Sequence, residues 1–168
     1  MSRKITLAAR GLLWLCVLGI ACMIFGFSAQ DGTISSDTSG KIVEEVIHLV
    51  DADYENREPE PQATIYAFVD RLVRKMAHFT EYAALGFFLR LLAGCYGWHP
   101  PTRLCWLAGT LYACTDELHQ LFIAQRTAMW QDVLLDSAGV LAGITVAYAV
   151  MTLWKRWRGR KNHEADGH

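Results

Sequence analysis

Four apolar blocks, each near twenty residues long, leave this chain few ways to fold. They cover residues 12–27, 76–98, 104–122 and 133–154. An apolar helix of about 20 residues crosses the roughly 30 Å hydrocarbon core of a bilayer. In lipid the backbone must satisfy its own polar groups, which restricts a spanning chain to helices or a closed barrel. No strong strand alternation and no internal repeat stands out in the sequence. The expected fold class is therefore all-α: an integral membrane four-helix bundle with a long extracytoplasmic loop, formed as one membrane domain over 1–168. The basic start and apolar run of the first block also fit a cleaved signal peptide. Its length, and the orientation that four spans produce, favour a retained helix.

Lysine and arginine orient the bundle. Arg3, Lys4 and Arg10 precede the first block, and Arg103 sits between the second and third. Lys155, Arg156, Arg158, Arg160 and Lys161 follow the fourth. With four spans all of these fall on one side, and the acidic loop 28–75 falls on the other. The expectation is a multi-pass protein of the cell membrane with both termini cytoplasmic. Trp14, Trp98, Trp106, Trp130, Trp154 and Trp157 lie near span ends, where an indole is best accommodated. The basic tail 155–168 reads as a topology signal touching anionic lipid. With a net charge of −1 and no basic groove with interleaved aromatics, no nucleic-acid partner is expected. The expected partners are membrane lipids. Cys16, Cys22, Cys95, Cys105 and Cys114 form no CxxC pair and read as small buried residues.

Within the loop, Ile42, Val43, Val46, Ile47 and Val50 recur at helical spacing, as do Ile65, Phe68, Val69, Leu72, Val73 and Met76. They predict two short amphipathic helices, the second leading into the second span. The pair either lies on the outer membrane surface or packs together as a small cap.

The spans themselves are not uniformly apolar. At about 100° per residue, Arg74, Lys75, His78, Glu81 and Tyr82 fall within roughly 120° of one helix face. Asp116, Glu117, His119 and Gln120 cover roughly 160° of the third span, and Asp132, Asp136, Gly139 and Gly143 a stripe of roughly 60° on the fourth. The topology puts all three groups at the extracytoplasmic end, level with Ser28 and Gln30 at the exit of the first span. Charges at that depth are costly unless they face inward and find partners, so one shared inward-facing site is expected. Gly139 and Gly143, four residues apart, suit close helix approach on the same stripe.

Three uses of such a site stand open. His78, Glu81, Asp116, Glu117 and His119 offer acid, base and metal-ligand groups for catalysis. No HExxH or similarly tight spacing names a metal, and no cofactor is indicated. Arg74, Lys75 and Arg126, with Gln120, Asp132, Asp136, Ser28 and Gln30 around them, offer a binding site for an anionic lipid or cell-wall precursor head group. The third use is structural, an interhelical network in which Asp132 caps the fourth helix and Tyr82 is a packing residue. Unpaired carboxylates in an apolar layer need cations, so Arg74 or Arg126 is expected within reach of Glu81, Asp116, Glu117 or Asp136. Arg90, in the inner half of the second span, is expected to extend to the cytoplasmic head groups.

Several linked motifs follow in order. They are Ser28-x-Gln30, then Arg74-Lys75-x-x-His78-Phe79-x-Glu81-Tyr82-x-x-Leu85-Gly86, then Asp116-Glu117-x-His119-Gln120-x-Phe122, then Arg126, Asp132 and Gly139. Together they make the chain resemble the VanZ-like family of bacterial membrane proteins over nearly its whole length. The resemblance implies an inner-membrane protein acting at the cell envelope. The family's namesake is associated with reduced susceptibility to the glycopeptide teicoplanin, so a contribution to antibiotic resistance is an expectation of the resemblance alone. Two positions depart from the family pattern. Ala124-Gln125 stands where a proline-glycine is common, and Asp136 where asparagine is common. The second change adds a negative charge and strengthens the case for cation pairing at Asp136.

Overall fold

The structure is a computed structural model that describes residues 3–30, 32–97, 101–123 and 129–165. Among the described residues it contains helices and no strand. They are α1 (Arg3–Ser28), α2 (Gly32–Val50), a short 3-10 turn (Tyr54–Asn56), α3 (Pro59–Tyr96), α4 (Pro101–Gln120) and α5 (Trp130–Ala165). Blocks 12–27 and 133–154 fall within α1 and α5, and blocks 76–98 and 104–122 fall mostly within α3 and α4, which end at Tyr96 and Gln120. Two segments, Leu7–Ser28 and Trp130–Arg160, are long and apolar enough to cross a membrane. α3 and α4 carry the polar residues of the motifs and are too polar to meet the same measure.

Local sequence explains the helix limits. Pro59 opens α3, where its missing N–H costs nothing. Gly97 closes it at φ 66°, with its N–H directed at the carbonyls of Ala93 and Gly94. Between Pro61 and Gly86 there is neither proline nor glycine, so the helix has no point at which to stop. The amphipathic stretch 65–76 is therefore not a separate short helix but the first half of a 38-residue one. At 1.5 Å per residue that helix is roughly 57 Å long, and its N-terminal half extends beyond the bundle. There α2 packs on it through Val43, Ile47 and Val69, flanked by Ile65, Tyr66 and Val73. The two amphipathic faces thus cover one another as a cap. At the turn between them, Arg57 Nε lies 2.7 Å from Asp51 Oδ2 and holds that carboxyl below its ordinary range.

Side-chain contacts fix the helix directions. Arg10 donates from Nη2 to the Cys95 carbonyl at 2.7 Å and lies over the Tyr96 ring, so the start of α1 meets the end of α3. Ser28, at the end of α1, reaches Asp116 near the end of α4. Thr110 and Ser137 share a hydrogen bond of 2.8 Å, and Glu117 accepts one from the Met129 N–H at 3.1 Å, which sets α4 against α5. The order is up, down, up, down, with α2 above. The shared core is Val17, Ile24, Tyr82, Leu85, Leu92, Val140 and Ile144.

Polarity is inverted relative to a water-soluble bundle. Leu12, Leu15, Leu111, Leu118, Leu141 and Leu153 are exposed, whereas Ser28, Asp70, Arg90, Asp116, Glu117, Gln120 and Asp136 are buried. Arg90 corrects an expectation. Instead of extending outward it lies inside, beside the small residues Gly94 and Cys105, which leave room for its guanidinium.

The closest approach is between α3 and α5, and glycine makes it possible. A Cβ on Gly139 would lie 2.5 Å from the Phe79 carbonyl oxygen, and one on Gly143 would overlap the Ala83 carbonyl. From the other side, a Cβ on Gly86 would lie 2.9 Å from Val140 Cα. These neighbours are backbone and cannot rotate away. Gly143→Ala is expected to destabilise the bundle by about 1–3 kcal/mol, the usual cost of overpacking. Gly159→Ala, on the same helix with open space around it, is expected to leave the melting temperature of the detergent-purified protein unchanged. Equal melting of the two variants would remove the steric argument.

Candidate functional site

The helix ends opposite Arg10 form a polar layer with a cleft of about 430 Å³. α3 contributes Arg71, Arg74, Lys75 and His78 to its walls. α4 contributes Glu117 and Gln120, and α5 contributes Asp132, Leu135 and Asp136, with Met129 just before it. These positions follow from helical periodicity. Arg71, Lys75 and His78 are three or four residues apart and share a face. Asp132 and Asp136 are four apart on the face that Gly139 presses against α3.

The cations are held in two different ways. Arg74 Nη2 lies 2.7 Å from Asp70 Oδ2, one turn earlier on α3. Asp70 also accepts a hydrogen bond from Ser39 Oγ of α2 at 2.8 Å, so the cap fixes the carboxylate that fixes Arg74. The expected partners of Arg74 were Glu81, Asp116, Glu117 or Asp136. Asp70 wins because an i,i+4 pair forms within one helix and needs no further bundle packing to align it. Lys75 reaches across to Asp132 and ties α3 to α5. Asp132 lies in the first turn of α5, where its charge also suits the helix dipole. Arg126 lies outside the described residues.

The remaining candidates divide into two sets. In one, Ser28 Oγ donates to Asp116 Oδ2 at 2.7 Å, and Gln120 Nε2 lies 3.3 Å from both of those oxygens. The His119 ring stacks on Phe25 with centroids 4.6 Å apart. These contacts join α4 to α1, away from the cleft walls, and Gln120 alone also lines the cleft. Gln30 lies just past the end of α1, its N–H donating to the Phe27 carbonyl, and is not among the cleft residues. In the other set, His78 Nδ1 stands 4.0 Å from Glu81 Oε2 on α3. Glu117, Asp116, Asp132 and Glu81 all lie within electrostatic range of Asp136. The two histidines therefore do not share the cleft. Among the described residues no three His, Cys, Asp or Glu side chains converge so as to hold a metal.

Glu81, Asp116 and Asp136 each bury one carboxylate oxygen without a hydrogen-bond partner among the described residues, and of the three Asp136 lines the cleft. It is 2 % exposed, it lines the cleft, and its Oδ1 has no hydrogen-bond partner among the described residues. Burying such an oxygen without a donor is costly. Arg71, Asp70 and Ser39 were not singled out in the sequence. Arg71 and Asp70 were within reach of an i,i+4 count from Lys75 and Arg74, whereas Ser39 comes close only through tertiary packing.

A family profile described as VanZ/LLP1 matches residues 13–154, most of the chain. No curated protein and no solved structure matches the chain significantly.

The Lys75–Asp132 pair is the ion pair that crosses the cleft mouth. Lys75→Ala and Asp132→Ala are each expected to destabilise the protein, and the double variant to lose less than their sum. A double-mutant cycle on unfolding should give a coupling of about 0.5–1 kcal/mol for a pair that water still reaches. Strict additivity would mean that the two charges do not interact.

Proposed function

The chain belongs to the VanZ/LLP1 family, and from that premise we propose that it is a four-span protein of the cell membrane that binds a phosphate- or carboxylate-bearing head group in its polar cleft. α1, α3, α4 and α5 cross the bilayer, the cap of α2 and upper α3 stands outside, and both termini lie inside. The observation that carries the membrane reading is the inversion of polarity. Large leucines face outward on the long helices while carboxylates, an arginine and a glutamine are buried between them. A water-soluble protein does not expose contiguous apolar surface on that scale.

Head-group binding is supported by the charge that lines the cleft from α3. Arg71, Arg74 and Lys75 stand at its outer end, where head groups of the outer leaflet lie. Arg74 is already oriented by Asp70, which leaves less side-chain freedom to lose when a ligand binds. Arginine suits the task because its planar fork matches phosphate and carboxylate oxygens. Arg71 is exposed and Arg74 Nε has no hydrogen-bond partner among the described residues, so the basic wall keeps donors that a ligand can use.

Two measurements test this reading. In a cysteine-free background, Asp53→Cys should react with an impermeant maleimide on intact cells, and Arg160→Cys only after permeabilisation. Reaction of the second on intact cells would invert the topology and put the cleft on the wrong side. Purified protein in nanodiscs should retain phospholipid over diacylglycerol, and the double change Arg71→Ala, Arg74→Ala should weaken that retention at least tenfold, as loss of charge-assisted hydrogen bonds implies. Unchanged retention would end the head-group reading.

A further inference from the structure

The cleft is not uniformly positive. Arg71, Arg74 and Lys75 on its α3 wall face Glu117, Asp132 and Asp136 on the opposite wall. The charges are graded with depth. Arg71 is exposed at the mouth, and Asp136 is almost completely buried at the floor. Arg74 Nη2 is paired with Asp70 and Lys75 with Asp132, while Arg74 Nε has no hydrogen-bond partner among the described residues. The floor has the opposite need. Asp136 Oδ1 is buried without a donor, with four further carboxylates in electrostatic range. A ligand that carried only negative charge would meet attraction at the mouth and repulsion at the floor.

We propose that the cleft takes a zwitterionic head group, with a phosphate at Arg71 and Arg74 and a primary ammonium directed inward onto Asp136. The proposal rests on the head-group reading above and names the ligand class within it. An ammonium supplies what the floor lacks, up to three N–H donors and a positive charge. Its phosphate supplies the acceptors that the guanidinium groups at the mouth can use. An ethanolamine phospholipid has both groups a few bonds apart, which suits a cleft of about 430 Å³.

The test compares lipids on the unaltered protein, so that it does not depend on any variant folding. Native mass spectrometry or scintillation binding would be run with phosphatidylethanolamine, phosphatidylglycerol, N-acetyl phosphatidylethanolamine and diacylglycerol. Phosphatidylethanolamine is expected to bind about tenfold more tightly than phosphatidylglycerol, although it carries less net negative charge. N-acetylation should abolish that advantage, and Asp136→Asn, checked for folding by its melting curve, should do the same. Equal binding of phosphatidylethanolamine and phosphatidylglycerol, both above diacylglycerol, would overturn the ammonium site and leave the phosphate site standing. If neither exceeds diacylglycerol, the head-group reading itself falls. Competition by soluble phosphoethanolamine at equal concentration would assign the same chemistry to a water-soluble ligand, and its absence to the lipid.

Discussion

The approach of α3 to α5 is the constraint from which the rest of the structure follows. Gly86, Gly139 and Gly143 let the two backbones touch where any side chain would separate them. Dispersion across such a close seam, with the hydrogen bonds around it, holds α3 to α5. The seam also sets register. With Gly139 against Phe79, the preceding turns of the two helices fall level, and Lys75 meets Asp132. One turn deeper, Asp136 comes to face the cleft beside His78. A shift of one helical turn along this seam would break the ion pair and move the carboxylate away from the floor.

A second set of contacts makes the cap part of the site. α2 might have been a mere cover for the apolar face of upper α3, and its Val43 and Ile47 do serve that purpose. But Ser39 also bonds Asp70, and Asp70 holds Arg74. Burying Asp70 without those donors would be unfavourable, so the cap and the guanidinium stabilise one another. The orientation of a cleft residue thus depends on a helix that contributes no wall to the cleft.

These relations mark how far the sequence could be read. The helices were legible because four blocks of the right length admit little else, and the glycine stripe was legible because it shares a face with two aspartates. The gathering of polar groups at one level followed from topology and a count of 100° per residue. What was not legible depended on which neighbour each polar face meets. The Arg74 partner was sought across the bundle, yet a carboxylate one turn away on the same helix takes it. His78 and His119 were level in depth, but His119 turns to Phe25 on α1 while His78 turns to the cleft. Arg90 was assigned to the cytoplasmic head groups from its depth in the span, whereas the space beside Gly94 and Cys105 draws it inward. Periodicity gives faces and depths. Partners require packing.

The polar layer is two systems at one depth, and this difference governs what each can do. Between α1 and α4 several groups bond one another, while Asp116 Oδ1 and His119 Nε2 have no hydrogen-bond partner among the described residues. Ser28 Oγ donates a hydrogen bond to Asp116, Gln120 bonds both, and the His119 ring rests on Phe25. These bonds join α1 to α4, and of their residues only Gln120 also lines the cleft. Between α3 and α5 the network is open. The pair at the mouth is partly hydrated, space remains between the walls, and a buried carboxylate oxygen at the floor lacks a donor. Keeping such an oxygen is unfavourable for the empty protein, and the rigid seam at Gly139 prevents the walls from closing over it. An open acceptor held at fixed depth by a backbone contact is what recognition of a donor-bearing group requires. The two systems therefore divide the layer between them, one joining α1 to α4 and the other leaving a cleft between the polar ends of α3, α4 and α5.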